Sequence, residues 1–327
     1  MSTMPAFTLQ RPASAAEAAA WLAEGARAIA GGTDLLPNLR RGLERPARLV
    51  DLGALPELAE LRMRDGAFTL GAGVTLARLA ADADVQRVLP ALADAARAVA
   101  GPGHRSAATL GGNLCQDTRC VYYNQSEWWR RANGWCLKRG GDTCHVAPQG
   151  RRCHAAFEGD VAPVLLAAGA ALELAIPGGA RRLPLAELYR DDGAAHLALQ
   201  PGEFITRVHV PPGPAGRRSA YRKARARGAM DFPLAGVAVV LTLHDGVVAE
   251  LGIGLSGTNS QPLRLQGTET FVGQAVDDPM LAALAKLVGK QVSPMRSTVT
   301  ASNHRRQVAM VHVQRLVREL AGPPTAA

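Results

Sequence analysis

Apolar residues recur at helical spacing over residues 13–24, at Ala19, Ala20, Leu22 and Ala23. Ser14 with Glu17 three positions later forms a capping-box pattern, so a helix is predicted there. The short apolar run Ala28-Ile29-Ala30 follows as a buried strand and delivers Gly31-Gly32-Thr33-Asp34-Leu35. A second strand, Arg48-Leu49-Val50-Asp51-Leu52, completes a small β-α-β-like unit. Phe68 to Val74 reads as a strand whose small residues, Gly71, Ala72 and Gly73, leave room for close approach to the backbone. Thr75 caps a helix carrying Leu76 and Leu79, and a further helix is predicted over Ala91 to Ala100. Asp160 to Leu166 is apolar enough for a buried helix, and Leu172, Leu174 and Ile176 alternate as a strand. Val237 to Leu243 and Val247 to Leu255, joined through His244-Asp245-Gly246, carry a hairpin signal. Two helices close the pattern, at about Pro279 to Val288 and Asn303 to Leu320, the second with Val308, Val311, Leu316 and Leu320 as its apolar stripe. The proline-rich Pro211 to Gly216 is a loop near the expected domain seam, Gly322 to Ala327 reads as a frayed tail, and no internal repeat is visible.

With 327 residues, 47% of them hydrophobic, the chain has room for two or three domains with real cores. Met1 to Gln10 has neither a basic leader nor a long apolar run, and the Ala-rich tracts are broken by Asp, Arg and Gly, so a cytoplasmic protein with no membrane span is expected. The net charge of +9 raises the question of nucleic acid. Arg is spread along the chain, however, and only Arg217 to Arg227 is dense, with no nucleic-acid-binding module in sight. An acidic protein partner suits that charge better, and a plain Arg bias accounts for most of it.

Cys120, Cys136, Cys144 and Cys153 fall in one stretch with the spacing C-x15-C-x7-C-x8-C, just beyond the turn Thr109-Leu110-Gly111-Gly112-Asn113. Four thiolates suit an iron-sulfur cluster or a closed zinc site, because both take soft sulfur donors. The stretch lacks the tight C-x2-4-C knuckles of structural zinc. Free or disulfide-paired thiols are the remaining alternative, with Cys115 upsetting simple pairing. A cytoplasmic setting keeps such thiols reduced and available to metal.

The loops Gly31-Gly32-Thr33-Asp34 and Gly111-Gly112-Asn113 lack both the Walker lysine and the dinucleotide G-x-G-x-x-G spacing. Their glycines would let successive backbone N–H groups face a pyrophosphate, or would simply make tight turns. Taken in order with Gly71-Ala72-Gly73-Val74-Thr75, Arg105, Gly159-Asp160-Val161-Ala162-Pro163, Pro201-Gly202-Glu203-Phe204-Ile205 and Tyr221-Arg222-Lys223, they resemble the flavin-binding medium subunit of the molybdenum hydroxylase (xanthine dehydrogenase) family over nearly the whole chain. The inserted loop at about 116–156, which holds all four clustered cysteines, is most similar to the β subunits of 4-hydroxybenzoyl-CoA reductases, where such an insertion carries a [4Fe-4S] cluster.

The resemblance implies an α+β chain: a two-subdomain FAD-binding domain of the PCMH/vanillyl-alcohol-oxidase type, then a smaller C-terminal domain of antiparallel sheet plus helices. The expected division is 1–57 and 58–196 for the two FAD-binding subdomains, the second with its insertion, and 197–327 for the last domain. It further implies FAD held by Ile29, Ala30, Gly31, Gly32, Thr33, Asp34, Leu35, Val99, Thr109, Gly111, Gly112, Asn113, Asp160, Ile205 and Lys223, and a cluster on Cys120, Cys136, Cys144 and Cys153 without Cys115. Asp160 is expected at the flavin, as the N-cap of the helix after it, or as both at once, and Lys223 either at the flavin or solvated. His145 and His154 flank ligand cysteines and could replace one, but are expected as hydrogen-bond donors to sulfur or as surface residues; Trp128, Trp129 and Trp135 would shield the site or simply pack under the long loop, and His304 receives no catalytic task.

By the same resemblance the chain is a flavoprotein oxidoreductase subunit of a heteromeric complex. Electrons from ferredoxin would enter here and pass through a [2Fe-2S] subunit to a molybdenum-cofactor catalytic subunit that reduces 4-hydroxybenzoyl-CoA. No catalytic residue is expected in this chain. A flavin subunit of another molybdenum hydroxylase, acting with a xanthine, aldehyde or aromatic substrate, shares the same motifs, and a non-enzymatic metal-binding scaffold is the remaining class.

Overall fold

The computed structural model describes residues 4–322, so all but the first residue of the predicted tail lies outside the described residues. The N-terminal unit comprises β1 (Thr8–Gln10), α1 (Ala15–Ala23), β2 (Arg27–Ile29), α2 (Leu35–Arg40) and β3 (Arg48–Asp51), with β3 between β1 and β2 and parallel to both. Ser14 caps α1 by accepting from the Glu17 N–H at 3.2 Å. The reciprocal bond runs from the Ala13 N–H to Glu17, at 2.6 Å, rather than from the N–H of the cap itself.

The second unit begins with β4 (Leu61–Arg64) and β5 (Ala67–Gly71). Helices α3 (Leu76–Ala81), α4 (Ala83–Val88), α5 (Pro90–Ala98), α6 (Pro102–Ala107) and α7 (Leu110–Leu114) follow, then α8 (Glu127–Ala132) inside the cysteine segment and α9 (Val161–Ala167) after it. Strands β6 (Ala171–Ile176), β7 (Gly179–Pro184) and β8 (Phe204–Val210) complete an antiparallel five-stranded sheet in the order β4-β5-β8-β6-β7. Strand β8 lies past residue 197 and still forms the middle of this sheet, so the break between sheets falls in the proline-rich loop after it. The predicted strand over 68–74 stops at Gly71, because the Gly73 N–H leaves the sheet to reach the Leu58 carbonyl at 2.8 Å.

The third unit is an antiparallel sheet in the order β12-β11-β10-β9, built from β9 (Arg218–Ala224), β10 (Ala235–His244), β11 (Val247–Ser256) and β12 (Leu263–Arg264), backed by α10 (Asp278–Gln291) and α11 (Ser302–Ala321). The β10–β11 turn places Asp245 (φ 49°) and Gly246 (φ 79°) in the left-handed region, as a two-residue hairpin requires. The buried stripe of α11 is Arg305, Ala309, Val313, Leu316 and Val317; Val311, expected in the apolar stripe, lies off the buried face and is 38% exposed.

The mixed α+β architecture with antiparallel sheets agrees with the expectation. Helix α9 joins the two larger units: its residues are all buried, and it lies so close to β11 that a Cβ on Gly254 would sit 1.9 Å from the Pro163 carbonyl oxygen and one on Gly252 2.2 Å from that of Ala167. Among the described residues no helix is long and apolar enough to cross a membrane.

Candidate functional site

Three backbone segments converge on the first glycine loop. Gly31 abuts the end of α6 so tightly that a Cβ there would lie 1.8 Å from the Ala107 carbonyl oxygen, and Gly32 needs φ +69°. Leu76 N–H donates to Ala108 O at 2.9 Å, while Leu110 and Gly111 N–H donate to Val74 and Ala72 carbonyls, both at 2.8 Å. The loops around residues 31, 72 and 109 are thereby tied into one surface. The backbone N–H groups of Gly31, Gly32, Thr33 and Asp34 find no acceptor among the described residues. Four successive unengaged donors at the entry to α2 form a concavity suited to an anion, and this observation fits the pyrophosphate of FAD.

The second glycine loop is different from its expectation. Gly111 N–H is bound to Ala72 O and Gly112 N–H to Thr109 Oγ1, at 3.1 Å, so these two donors are used inside the protein. Asn113 is also committed: its buried Oδ1 accepts from Val161 N–H at 3.2 Å and caps α9. Asp160 holds the N-cap position of that helix, but its side chain makes no cap hydrogen bond. Its carboxylate instead accepts from Tyr221 Oη at 2.6 Å and from Lys223 Nζ at 2.9 Å, with both members of the ion pair buried. Burial holds the Asp160 carboxyl above its ordinary range, against the pull of Lys223 and Tyr221. Lys223 is not solvated, as its Nζ also donates to Ala98 O at 3.1 Å, beside Val99.

Tyr221 was not among the expected site residues. The signal was present in the alternation Tyr221-Arg222-Lys223, since residues two apart on a strand share a face. Ile205 sits on β8 opposite Leu174 with its side chain in the main core, while the carbonyl of the neighbouring Thr206 holds Ala72 N–H at 2.9 Å. Ile29 and Ala30 lead into the donor loop and Leu35 opens α2, all three half-buried.

The four cysteines of the insertion line one small cavity, walled by Tyr122, Tyr123, Leu137, Lys138, Val146 and Ala155. All four are buried and all are free thiols, so no disulfide forms. Backbone N–H groups point at the sulfurs: those of Tyr122 and Tyr123 at Cys120, those of Lys138 and Arg139 at Cys136, and that of Ala155 at Cys153, the last at 3.4 Å. Such donors stabilise thiolate once a metal has displaced the proton. Burial pushes the Cys153 thiol up to about 12 and those of Cys120 and Cys136 upward as well. Among the described residues no three or more His, Cys, Asp or Glu side chains are gathered closely enough to hold a metal ion. The four thiols line one cavity without gathering as a metal-holding group. A lone zinc draws its sulfurs to about 2.3 Å from one centre, whereas a cluster carries its own sulfides and spaces its ligands apart.

Cys115 lies outside the cavity at the end of α7, half-buried, with burial raising its thiol to about 12. His145 bonds through Nε2 to the Trp135 carbonyl at 2.7 Å rather than to sulfur. Trp128 is 76% exposed and shields nothing, whereas Trp129 packs on Tyr122 at the cavity wall. Arg305, neighbour of His304, is fully buried and donates to the carbonyls of Leu234, Met295 and Gly257, an anchoring task.

Two family models cover the chain: residues 5–213 match the FAD binding domain in molybdopterin dehydrogenase, and residues 219–320 match the CO dehydrogenase flavoprotein C-terminal domain. The aldehyde oxidoreductase FAD-binding subunit PaoB of Escherichia coli K12 is 35% identical over 86% of this chain and 91% of its own length. The carbon monoxide dehydrogenase medium chain of Afipia carboxidovorans is 29% identical, with 95% of each chain covered. Among solved structures, a chain of the Cu,Mo-CO dehydrogenase superposes with a TM-score of 0.80 at 28% identity, over 98% of this chain and 99% of that one.

Proposed function

Because the chain belongs to the FAD-binding medium subunits of the molybdenum hydroxylase and CO dehydrogenase family, we propose that it is the electron-transfer subunit of a heteromeric molybdenum oxidoreductase, carrying FAD and a [4Fe-4S] cluster and leaving substrate chemistry to another subunit. Bound FAD would supply one- and two-electron exchange and the cluster one-electron transfer, which makes the pair a relay between carriers of different stoichiometry.

The residues have separable tasks. Gly31, Gly32, Thr33 and Asp34 would donate backbone hydrogen bonds to the pyrophosphate. Thr109, Gly111 and Gly112 bring the second loop against the strand end at Ala72, and Asn113 fixes α9 and with it Asp160. Asp160, Tyr221 and Lys223 hold a fixed buried charge pair beside Val99. Cys120, Cys136, Cys144 and Cys153 would ligate the cluster. The observation that carries this reading is the closure of all four cysteines around one cavity.

For the reaction of the complex, the cysteine insertion supports reductive dehydroxylation of 4-hydroxybenzoyl-CoA with electrons from ferredoxin, delivered through a [2Fe-2S] subunit to the molybdenum cofactor. A second reading has its own observation: 35% identity to an aldehyde oxidoreductase subunit favours a complex that oxidises an aldehyde. Copurification of the complex followed by assay with an aromatic aldehyde plus an acceptor, and with 4-hydroxybenzoyl-CoA plus reduced ferredoxin, separates the two. Anaerobically purified chain is expected to hold about one FAD, four iron and four labile sulfide. Zinc without sulfide would overturn the cluster, and a colourless protein would overturn the flavin.

A further inference from the structure

We infer that Arg119 is a positioning residue that couples cluster binding to flavin binding, by fastening the first glycine loop to the cysteine loop; the inference rests on the iron-sulfur reading above. Asp34 closes the row of four N–H donors, yet its own carboxylate is occupied by the root of the insertion. Oδ2 accepts from Asp117 N–H at 2.9 Å, and Oδ1 pairs with Arg119. Arg119 also donates to Asn38 Oδ1, on α2, at 3.3 Å, and its guanidinium lies 5.1 Å from the centre of the Phe232 ring. In sequence it adjoins Cys120, and its backbone exchanges two hydrogen bonds of 2.8 Å with Ala156, so both ends of the insertion meet at this residue.

The turn after α2 is gripped from the same loop. Arg130 donates to Arg41 O at 3.1 Å and Arg139 to Gly42 O at 2.6 Å, while Leu43 packs in one apolar cluster with Cys120, Cys136 and Cys153. The turn that follows α2 therefore packs against the cysteine segment. Ligation of the thiols fixes the insertion, and a fixed insertion holds Asp34 and α2 in place. A site already ordered costs its second ligand less, and by linkage the effect is reciprocal.

The test measures FAD dissociation constants by flavin fluorescence on the flavin-free complex, before and after chelation of iron under reducing conditions. Iron removal is expected to weaken FAD binding about 5-fold or more in the wild type. Arg119→Gln should bring that ratio to unity, and Arg119→Lys should restore part of it. A merely structural arginine would lower FAD affinity alike with and without iron, leaving the ratio at the wild-type value. If Arg119→Gln does not fold, Asp34→Asn makes the same test from the other side of the pair. A wild-type ratio of unity in protein that does hold iron and sulfide overturns the coupling and leaves the cluster standing. Wild-type protein without iron and sulfide overturns the cluster reading, and the coupling falls with it.

Discussion

Glu158 lies two residues before Asp160 and five after Cys153, on the backbone that runs from the cysteine cavity to the flavin motif. It is 3% exposed and makes no hydrogen bond among the described residues. Burial raises its carboxyl to about 7, more than Arg305, Arg119 and Lys223 pull it down. The native state thus binds this proton more tightly than the unfolded chain does. The stability linked to Glu158 is complete below the unfolded value of 4.5 and is lost as pH rises through about 7. Glu158→Gln should be more stable than wild type at about pH 8, by up to ~3 kcal/mol, and level with it in mild acid. Denaturant melts at the two pH values check this, and equal stability at the higher one would refute it. Nothing in the sequence singles out Glu158. Its importance comes from what packs around it, and the guanidinium groups involved stand far from it along the chain.

At the scale of elements, strong local patterns were legible and borrowed hydrogen bonds were not. The β10–β11 hairpin follows from two apolar runs around Asp245-Gly246, and α1 from Ser14 and Glu17, all signals carried by adjacent residues. At the start of α9, Asp160 holds the N-cap position that an acidic residue before an apolar run suggests, yet its side chain makes no cap hydrogen bond. The side-chain cap is Asn113, 48 positions away, so only the folded chain reveals it. Asn113→Ala is expected to cost about 0.5–2 kcal/mol, the usual loss of a helix cap, and to lower flavin content by letting Asp160 move. Thermal melts and flavin absorbance per chain measure the two effects; a stable variant with full flavin would show that α9 needs no such cap. The insertion shows the same division. Its cysteines and their number were plain in the sequence, but their closure onto the turn after α2 depends on Arg119, Arg130 and Arg139, three members of an evenly scattered arginine population.

For the whole molecule, the decisive contact is α9 against β11. Glycines 252 and 254 let the helix backbone reach the strand backbone, and the helix that follows Asp160 thereby locks the flavin-binding units to the C-terminal sheet, whose β9 returns Tyr221 and Lys223 to Asp160. One ion pair consequently spans two units. Gly254→Ala would place a methyl group within 2 Å of the Pro163 carbonyl oxygen, and overpacking of this kind costs typically ~1–3 kcal/mol. The expected outcome is a lower Tm together with weaker FAD retention, whereas Gly273→Ala, at a position with open surroundings and φ +82°, should lower the Tm without releasing flavin. Flavin loss from both variants, or from neither, would mean that the contact between units does not serve the flavin site. The motif order along the chain disclosed the family but not this contact, since a glycine in a strand looks the same whether it meets solvent or a helix.

On the proposed iron-sulfur reading, the walls of the cysteine cavity also bear on how the site would be loaded. With the thiols 5–8% exposed behind Tyr122, Tyr123 and Lys138, a carrier protein that handed over iron and sulfide would need the insertion to open.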